Sequence, residues 1–122
     1  MAYRLEHVGV IASPATVDAT RKFYEDIFGW HTVREGKGVA FIGDGAGGCL
    51  ELLIQDATPV AAPNHLALVV PMDEFDAIMT KVRAAGVPVD EPIVNEFGRL
   101  CFFSDPSGNR TQIVGRTAPL PT

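Results

Sequence analysis

The chain repeats itself, and an internal repeat restricts the possible folds more than any other feature of this sequence. The tripeptide at 6–8 (EHV) is matched by 64–66 (NHL), and the longer segment 41–53 aligns without a gap to 102–114. Identity between the copies is low, but the landmarks recur in the same order along the chain. We therefore expect two equivalent modules related by pseudo-two-fold symmetry.

Hydrophobic patterns predict one strand, one helix and three strands in each module, with each helix ending at a glycine. The predicted elements are strands 5–11, 32–34, 39–42 and 49–54 with a helix from Ser13 to Gly29, and strands 64–70, 89–94, 99–104 and 111–114 with a helix from Pro71 to Gly86. The fold class that follows is α+β: two βαβββ modules in tandem, whose mixed sheets curve into a cup.

The length of 122 residues favours a single domain. We expect module one over 3–56, module two over 63–116, and a loose, proline-containing tail over 117–122. A second proline-containing segment connects the modules. Asp44 and Asp105 stand at matching turns, where an aspartate binds its own backbone.

The net charge of −5 argues against nucleic acid as the main partner, because phosphate binding requires a basic surface. No basic amphipathic helix is visible, so a membrane surface is not an expected partner. The sequence starts without the apolar run of a signal peptide, and its apolar runs are too short to span a bilayer. The expected location is the cytoplasm.

Two histidines occupy matching positions in the opening strands of the modules. Because strand side chains alternate between faces, His7 shares its face with Gly9, and His65 shares its face with Ala67. The small neighbours leave room beside both imidazoles, as a cavity requires. A single histidine in a strand is more often a core residue, but its repetition at matching positions favours a site.

The last strands of the modules add a second matching pair, Glu51 and Gln112. Leu50, Leu52 and Ile54 are expected to face the helix, which leaves Glu51 on the opposite face. A carboxylate on an apolar strand is costly to bury without a partner. Two imidazoles, this carboxylate and an amide oxygen would be completed by one divalent metal ion, and Ni, Co, Zn, Fe or Mn suits such ligands. An edge residue facing water is the alternative for Glu51.

Four further residues are candidates for contacts with a small-molecule substrate. Arg110 is on the same face as Gln112 and could hold an anionic group, with a solvated cation at the end of a turn as the alternative. Arg99, Phe41 and Phe103 could line the cup, although phenylalanines on strands are usually core residues.

Two segments of the sequence resemble motifs of a known family. The segment 21–30 (RKFYEDIFGW) looks like the F-Y-x-x-x-L-G-F helix end of the vicinal oxygen chelate superfamily, and 105–110 (DPSGNR) looks like its D-P-D-G-N-R turn. The superfamily includes glyoxalase I, methylmalonyl-CoA epimerase, extradiol dioxygenases, and bleomycin and fosfomycin resistance proteins. The resemblance covers nearly the whole chain and is specific for the superfamily rather than for one reaction.

The resemblance implies that the metal ligands are His7, Glu51, His65 and Gln112, and that the chain forms a homodimer. Metal-dependent members usually have glutamate where this chain has Gln112. With one carboxylate instead of two, the bound site keeps a net charge of about +1, so metal affinity should be lower. Glu51 is also the only carboxylate left to transfer a proton.

Three functions follow from the resemblance. The first is a metalloenzyme of glyoxalase type that chelates vicinal oxygens of a substrate for lyase or isomerase chemistry, with Glu51 as the base. The alternative is a metal-free, drug-sequestering protein of the bleomycin-resistance kind. An extradiol dioxygenase comes third, because those enzymes carry glutamate at the position of Gln112.

Overall fold

The computed structural model describes residues 3–59 and 63–121. Met1 and Ala2, residues 60–62 of the predicted connection, and Thr122 of the predicted tail lie outside the described residues. No helix in the described ranges is long and apolar enough to cross a membrane.

The chain divides into two compact units. The first runs to Pro59 and also includes Pro106–Gly108, and the second contains the remaining residues. The two units correspond closely to the two predicted modules. The exception is the turn Pro106–Gly108, which lies in predicted module two but belongs to the first unit. The assignment of residues 1–122 to a single domain therefore remains a prediction.

The elements follow one order twice. The first module consists of β1 (His7–Ala12), α1 (Val17–Phe28), β2 (His31–Gly36), β3 (Val39–Gly43) and β4 (Cys49–Ile54). The second consists of β5 (Leu66–Val69), α2 (Phe75–Ala84) preceded by a 3-10 turn at Met72–Glu74, β6 (Ile93–Asn95), β7 (Gly98–Ser104) and β8 (Arg110–Arg116). The predicted α+β class with two βαβββ modules is confirmed.

Each module forms its own four-stranded mixed sheet. The strand order is β1-β4-β3-β2 in the first and β5-β8-β7-β6 in the second. The opening strand runs parallel to the last strand of its module, and the other neighbours are antiparallel. This topology places the opening and last strands side by side. These strands carry His7, Glu51 and Gln112, and His65 directly precedes β5.

Several predicted boundaries are wrong. Strand β1 begins at His7 rather than at Leu5, and β5 begins at Leu66 rather than at Asn64, so His65 directly precedes the strand in which it was expected. The causes of two further differences are visible. Helix α1 begins at Val17, because the N–H groups of Thr16 and Val17 both bond to the carbonyl of Ser13 and close a turn before the helix. The strand predicted over 89–94 is reduced to β6 and an isolated pairing of Val89 with Phe103. Pro92 lies between these two pieces and has no N–H to donate to the sheet.

One face of each sheet is buried. The buried residues of β3, β4 and α1 include Ala40, Ile42, Leu50, Leu52, Thr20, Phe23 and Tyr24. Those of β7, β8 and α2 include Cys101, Phe103, Thr111, Ile113, Phe75, Met79 and Val82. Because strand side chains alternate, the remaining strand residues lie on the face away from the helix, which we call the open face. In β8 this face is itself buried at Gln112 and Val114.

The two matching aspartates make equivalent turns, as predicted. The carboxylate of Asp44 accepts a hydrogen bond from the N–H of Gly48 at 2.9 Å, and that of Asp105 accepts one from the N–H of Asn109 at 2.9 Å. In each pair, the aspartate N–H bonds back to the other residue's carbonyl. The repeat therefore extends from the strands to the turns that set their register.

Candidate metal centre

Three neighbouring strands of the first unit bring Gly9, Glu51 and Phe41 into one row. Gly9 pairs with Glu51, and Glu51 pairs with Phe41. Side chains at paired positions point to the same face, and His7 lies two residues before Gly9 on that face. The open face of the first unit thus presents an imidazole, a carboxylate and an aromatic ring.

The imidazole of His7 lies beside Glu51 and is held by two other contacts. Its Nε2 is 3.9 Å from Oε1 of Glu51, and its Nδ1 is 2.9 Å from Oε1 of Glu6. A carboxylate only accepts, so Nδ1–H donates to Glu6, and Nε2 of the neutral ring keeps its lone pair. The ring of Phe41 lies edge-on to the imidazole, 5.6 Å away. Such contacts fix the tautomer and orientation of histidines that bind metals.

The second unit repeats this arrangement with different residues. Ala67 pairs with Gln112, and Gln112 pairs with Phe102, so these three form a row equivalent to the first. His65 directly precedes β5, and its ring contacts that of Phe102, which places it beside this row. The charged member of the first row, Glu51, is replaced here by the neutral Gln112.

The imidazole of His65 is oriented in the same manner as that of His7. Its Nδ1 lies 2.9 Å from the carbonyl oxygen of Pro63, which can only accept, so Nε2 of the neutral ring again keeps its lone pair. The ring of Phe102 lies edge-on at 5.1 Å. A backbone carbonyl thus replaces the Glu6 carboxylate, while the aromatic contact is conserved between the halves.

The candidate ligands differ in exposure. The side chains of His7 and Glu51 are 38% and 20% exposed, whereas Gln112 is 9% exposed. Water reaches the Glu51 carboxylate, so leaving it without a counter-charge costs less than it would at a fully buried position. The amide of Gln112 is in the drier environment, where a second negative charge would be harder to accommodate.

The first pair of donors fits a shared metal ion. Metal–ligand bonds to nitrogen and carboxylate oxygen are roughly 2.0–2.2 Å, so two ligands of one ion lie at most about 4.2 Å apart. The distance of 3.9 Å between Nε2 of His7 and Oε1 of Glu51 is within this limit. Within either unit, the described residues bring no three His, Cys, Asp or Glu side chains together as a metal site.

Two predicted substrate contacts lie on the wrong face. Phe103 is buried at 1% exposure, on the face that packs against α2. Arg99 is also on that face, with its guanidinium 4.4 Å from the ring centre of Phe75 and 2.7 Å from the carboxylate of Asp76. The hydrogen bond from Arg99 lowers the pKa of the Asp76 carboxyl. Both residues stabilise the contact between sheet and helix and do not line the open face.

Arg110 lies on the open face, as predicted. It crosses the ring of Phe102, with its guanidinium carbon 4.4 Å from the ring centre, and reaches the carboxylate of Asp90 at 2.9 Å. The ring of Phe102 in turn contacts His65. A continuous row of contacts therefore connects Asp90 to the candidate ligand His65.

Several residues of this site were not predicted from the sequence. Phe102 was detectable, because the repeat aligns it with Phe41, a candidate that the structure does place on the open face. Glu6, Asp90 and the carbonyl of Pro63 were not detectable, because nothing in their spacing distinguishes them from ordinary surface groups. Their roles depend on side-chain rotamers and on the path of the backbone.

The comparison with known families agrees with this geometry. The Glyoxalase/Bleomycin resistance protein/Dioxygenase superfamily matches residues 4–113. The chain belongs to this superfamily, and the predicted resemblance to vicinal oxygen chelate proteins is confirmed. Among proteins of curated function, none matches the sequence.

Solved structures show the same fold over almost the whole chain. The oxidase ChaP-H2 is 26% identical, with 95% of each chain covered and a TM-score of 0.76. The fosfomycin resistance protein FosX from Listeria monocytogenes, complexed with Mn(II) and sulfate, is 23% identical with a TM-score of 0.81, covering 96% of this chain and 93% of its own. FosX from Mesorhizobium loti is 19% identical with a TM-score of 0.79, covering 96% and 95%.

Proposed function

We propose that this protein is a glyoxalase-like metalloenzyme that acts on a small substrate with two neighbouring oxygens. His7, Glu51 and His65 hold one divalent cation, with Gln112 as a weak fourth ligand or as a hydrogen-bond donor beside the metal. A cation held there would polarise the two substrate oxygens.

The observation that carries this proposal is the matched orientation of the two imidazoles. Nδ1 of His7 donates to Glu6 and Nδ1 of His65 donates to Pro63, so each ring offers Nε2 as a ligand. A histidine that only fills the core would not require the same Nδ1 hydrogen bonding in both units. In the first unit a carboxylate oxygen also lies within the reach of a shared ion.

The residues of the chain would then divide the remaining work. Glu51 is the only carboxylate among the four ligands, and its partial exposure leaves it accessible to a substrate. We assign to it the transfer of the substrate proton in a lyase or isomerase reaction. Phe41 and Phe102 flank the histidines and would pack against the carbon skeleton of the substrate.

Arg110 is proposed to hold an anionic group of the substrate. One guanidinium nitrogen bonds to Asp90, and the exposed ion pair is worth little by itself, so an incoming anion can share the guanidinium. Arg99 is a matched control, since it also lies over a phenylalanine and beside an aspartate, but on the helix face. Arg110→Met should weaken the binding of methylphosphonate, followed by NMR, and Arg99→Met should not.

A homodimer is part of this proposal. The opening strands β1 and β5 lie at the edges of their sheets, and Val8 and Val69 on them are exposed. Unpaired strand edges of this kind need covering. Light scattering at tens of micromolar should give a dimer mass, and a monomer mass would count against this assembly.

Metal binding is the direct test of the proposed function. We expect elemental analysis of protein purified without added metal, followed by calorimetric titration with Ni²⁺, Zn²⁺ and Mn²⁺, to give one ion per chain. His31→Ala removes an exposed histidine of β2 outside the site and should bind like the wild type. Absence of saturable binding to all three ions at neutral pH would contradict the proposal.

Gln112 favours a second candidate function, a metal-free small-molecule binder. A neutral amide provides less attraction for a cation than the glutamate of metal-dependent relatives. The open faces still offer Phe41 and Phe102 to a planar ligand. Ligand binding that persists in a chelator, together with a negative metal titration, would support this candidate instead.

A further inference from the structure

Gly9 occupies an unusual place for a glycine. It lies in the middle of β1, and its backbone does not have the positive φ that would require glycine. Glycine inside a strand weakens the strand and often marks a place where another group approaches closely. The reason for its presence must therefore be found on the neighbouring strand.

The group that approaches Gly9 is the carboxylate of Glu51. A Cβ added to Gly9 would lie 3.2 Å from Oε1 of Glu51 and 3.4 Å from Cδ1 of Leu53. The first distance is shorter than an ordinary van der Waals contact, so a methyl group would push the carboxylate away by a few tenths of an ångström. The same oxygen, Oε1, is the one that lies 3.9 Å from Nε2 of His7.

The second unit provides an internal comparison. The equivalent position is Ala67, which pairs with Gln112 and already carries a methyl group. The half that holds a neutral amide therefore tolerates a Cβ, and the half that holds the carboxylate has none. The difference between glycine and alanine thus accompanies the difference between glutamate and glutamine.

We propose that Gly9 is a positioning residue for Glu51. The missing side chain lets the carboxylate lie back across β1, and this places Oε1 beside Nε2 of His7, where both can bind one ion. The inference rests on the proposed function for its consequence, metal binding, but not for the steric contact itself. It also explains why the strand with the histidine ligand contains a residue that weakens strands.

A positioning role and a structural role predict different results for Gly9→Ala. Alanine restricts the unfolded chain more than glycine does, and this offsets the contact with Glu51, so without metal the variant should unfold at a urea concentration close to that of the wild type. Displacing Glu51 should nevertheless raise the Kd for Mn²⁺ by about tenfold, the range found for residues that orient metal ligands. A merely structural glycine would change stability and affinity together.

The experiment compares Gly9→Ala with the reverse substitution, Ala67→Gly, by Mn²⁺ calorimetry and urea denaturation. We expect Ala67→Gly to lower stability and to leave the Kd within about twofold, because Gln112 does not depend on that space. A Gly9→Ala variant that is stable and has an unchanged Kd would overturn the inference.

A crystal structure of Gly9→Ala separates this inference from the proposed function. If the wild type binds no metal, the proposed function fails, but the steric claim can still be measured. We expect the distance from Nε2 of His7 to Oε1 of Glu51 to be longer than in a wild-type crystal structure. An unchanged distance would overturn the positioning role, whatever the metal titration shows.

Discussion

The two halves of the molecule place their candidate ligands by the same strand geometry but with different chemistry. In the first half, the row beside His7 contains Gly9 and Glu51, and in the second half the row beside His65 contains Ala67 and Gln112. Each imidazole donates through Nδ1 and touches a phenylalanine on its open face. The strand pairing thus places the candidate ligands equivalently in both halves, and the change from Glu51 to Gln112 decides which of the two rows contains a carboxylate.

A further difference concerns the residue that begins the last strand. Arg110 begins β8 and lies over Phe102, whereas the aligned position in the first half is Cys49, which begins β4. The second half therefore combines a cation with a neutral amide, and the first combines a thiol with a carboxylate. If the proposed function holds, this asymmetry would suit a substrate with an anionic group for Arg110 and an acidic proton for Glu51.

The largest expected effect is on the free energy of unfolding, and it should differ between the two faces of the second sheet. Phe103→Ala should lower the free energy of unfolding by about 3–5 kcal/mol, because it leaves a cavity at a position with 1% exposure. Phe102→Ala should cost roughly 1–2 kcal/mol, because that ring is only partly buried. Urea denaturation without metal measures both.

The same pair tests whether Phe102 is the equivalent of Phe41. Phe102→Ala should also weaken metal binding, since His65 loses a contact that orients it, whereas folded Phe103→Ala should bind metal normally. If Phe103→Ala proves too unstable to titrate, Phe103→Leu provides the milder version. Equal losses of stability from Phe102→Ala and Phe103→Ala would place both rings in the core and break the proposed equivalence.

The error over Phe103 shows where sequence reasoning reached its limit. Leu100, Cys101, Phe102 and Phe103 are consecutive apolar residues, so this part of β7 has no alternation from which its faces can be assigned. In β4 the single Glu51 between Leu50 and Leu52 marks the open face clearly, and the assignment there was correct. The repeat itself, which aligns Phe41 with Phe102, was the better guide to β7.

Element order was predictable for the same reason that the site was partly predictable. Two copies of one pattern support each other, so βαβββ could be recognised although several boundaries, including those at Val17, Leu66 and Pro92, were wrong. The contacts of Arg99 were not predictable, because its partners Phe75 and Asp76 come from the helix and depend on how it packs on the sheet. Local sequence patterns predict the strand face on which a side chain lies, whereas the packing of the helix on the sheet decides which contacts a long side chain makes.

The next effect in size concerns the histidine of the neutral half. His65→Ala should lower metal affinity by at least about 100-fold, because it deletes a nitrogen ligand, and loss of a group that merely orients a ligand already costs 10–100-fold. Titration with Ni²⁺, Zn²⁺ and Mn²⁺ measures the loss, and His31→Ala is the control. Unchanged stoichiometry and affinity in His65→Ala would confine any metal to the first half and break the equivalence of the two histidines.

Making the two halves alike at position 112 should have a smaller effect on metal affinity, and this effect should be an increase. Gln112→Glu adds a second carboxylate at the same reach, so the bound site approaches neutrality and affinity should rise by about tenfold. The low exposure of Gln112 opposes this gain, because a buried carboxylate is poorly solvated before the metal arrives. Apo stability should therefore fall while metal affinity rises, and calorimetry with parallel urea denaturation would detect both. Weaker metal binding in Gln112→Glu would show that position 112 does not face the ion.

The smallest expected effect comes from removing the amide altogether. Gln112→Ala should weaken metal binding by only about two- to threefold, since a neutral amide oxygen contributes little beside two imidazoles and a carboxylate. The matched substitution in the first half, Glu51→Ala, should abolish most binding, because it removes the only negative charge among the ligands. Calorimetry with Mn²⁺ on both variants measures the ratio of the two losses. Similar losses from Gln112→Ala and Glu51→Ala would mean that the amide is a full ligand and that the halves are more alike than their charges suggest.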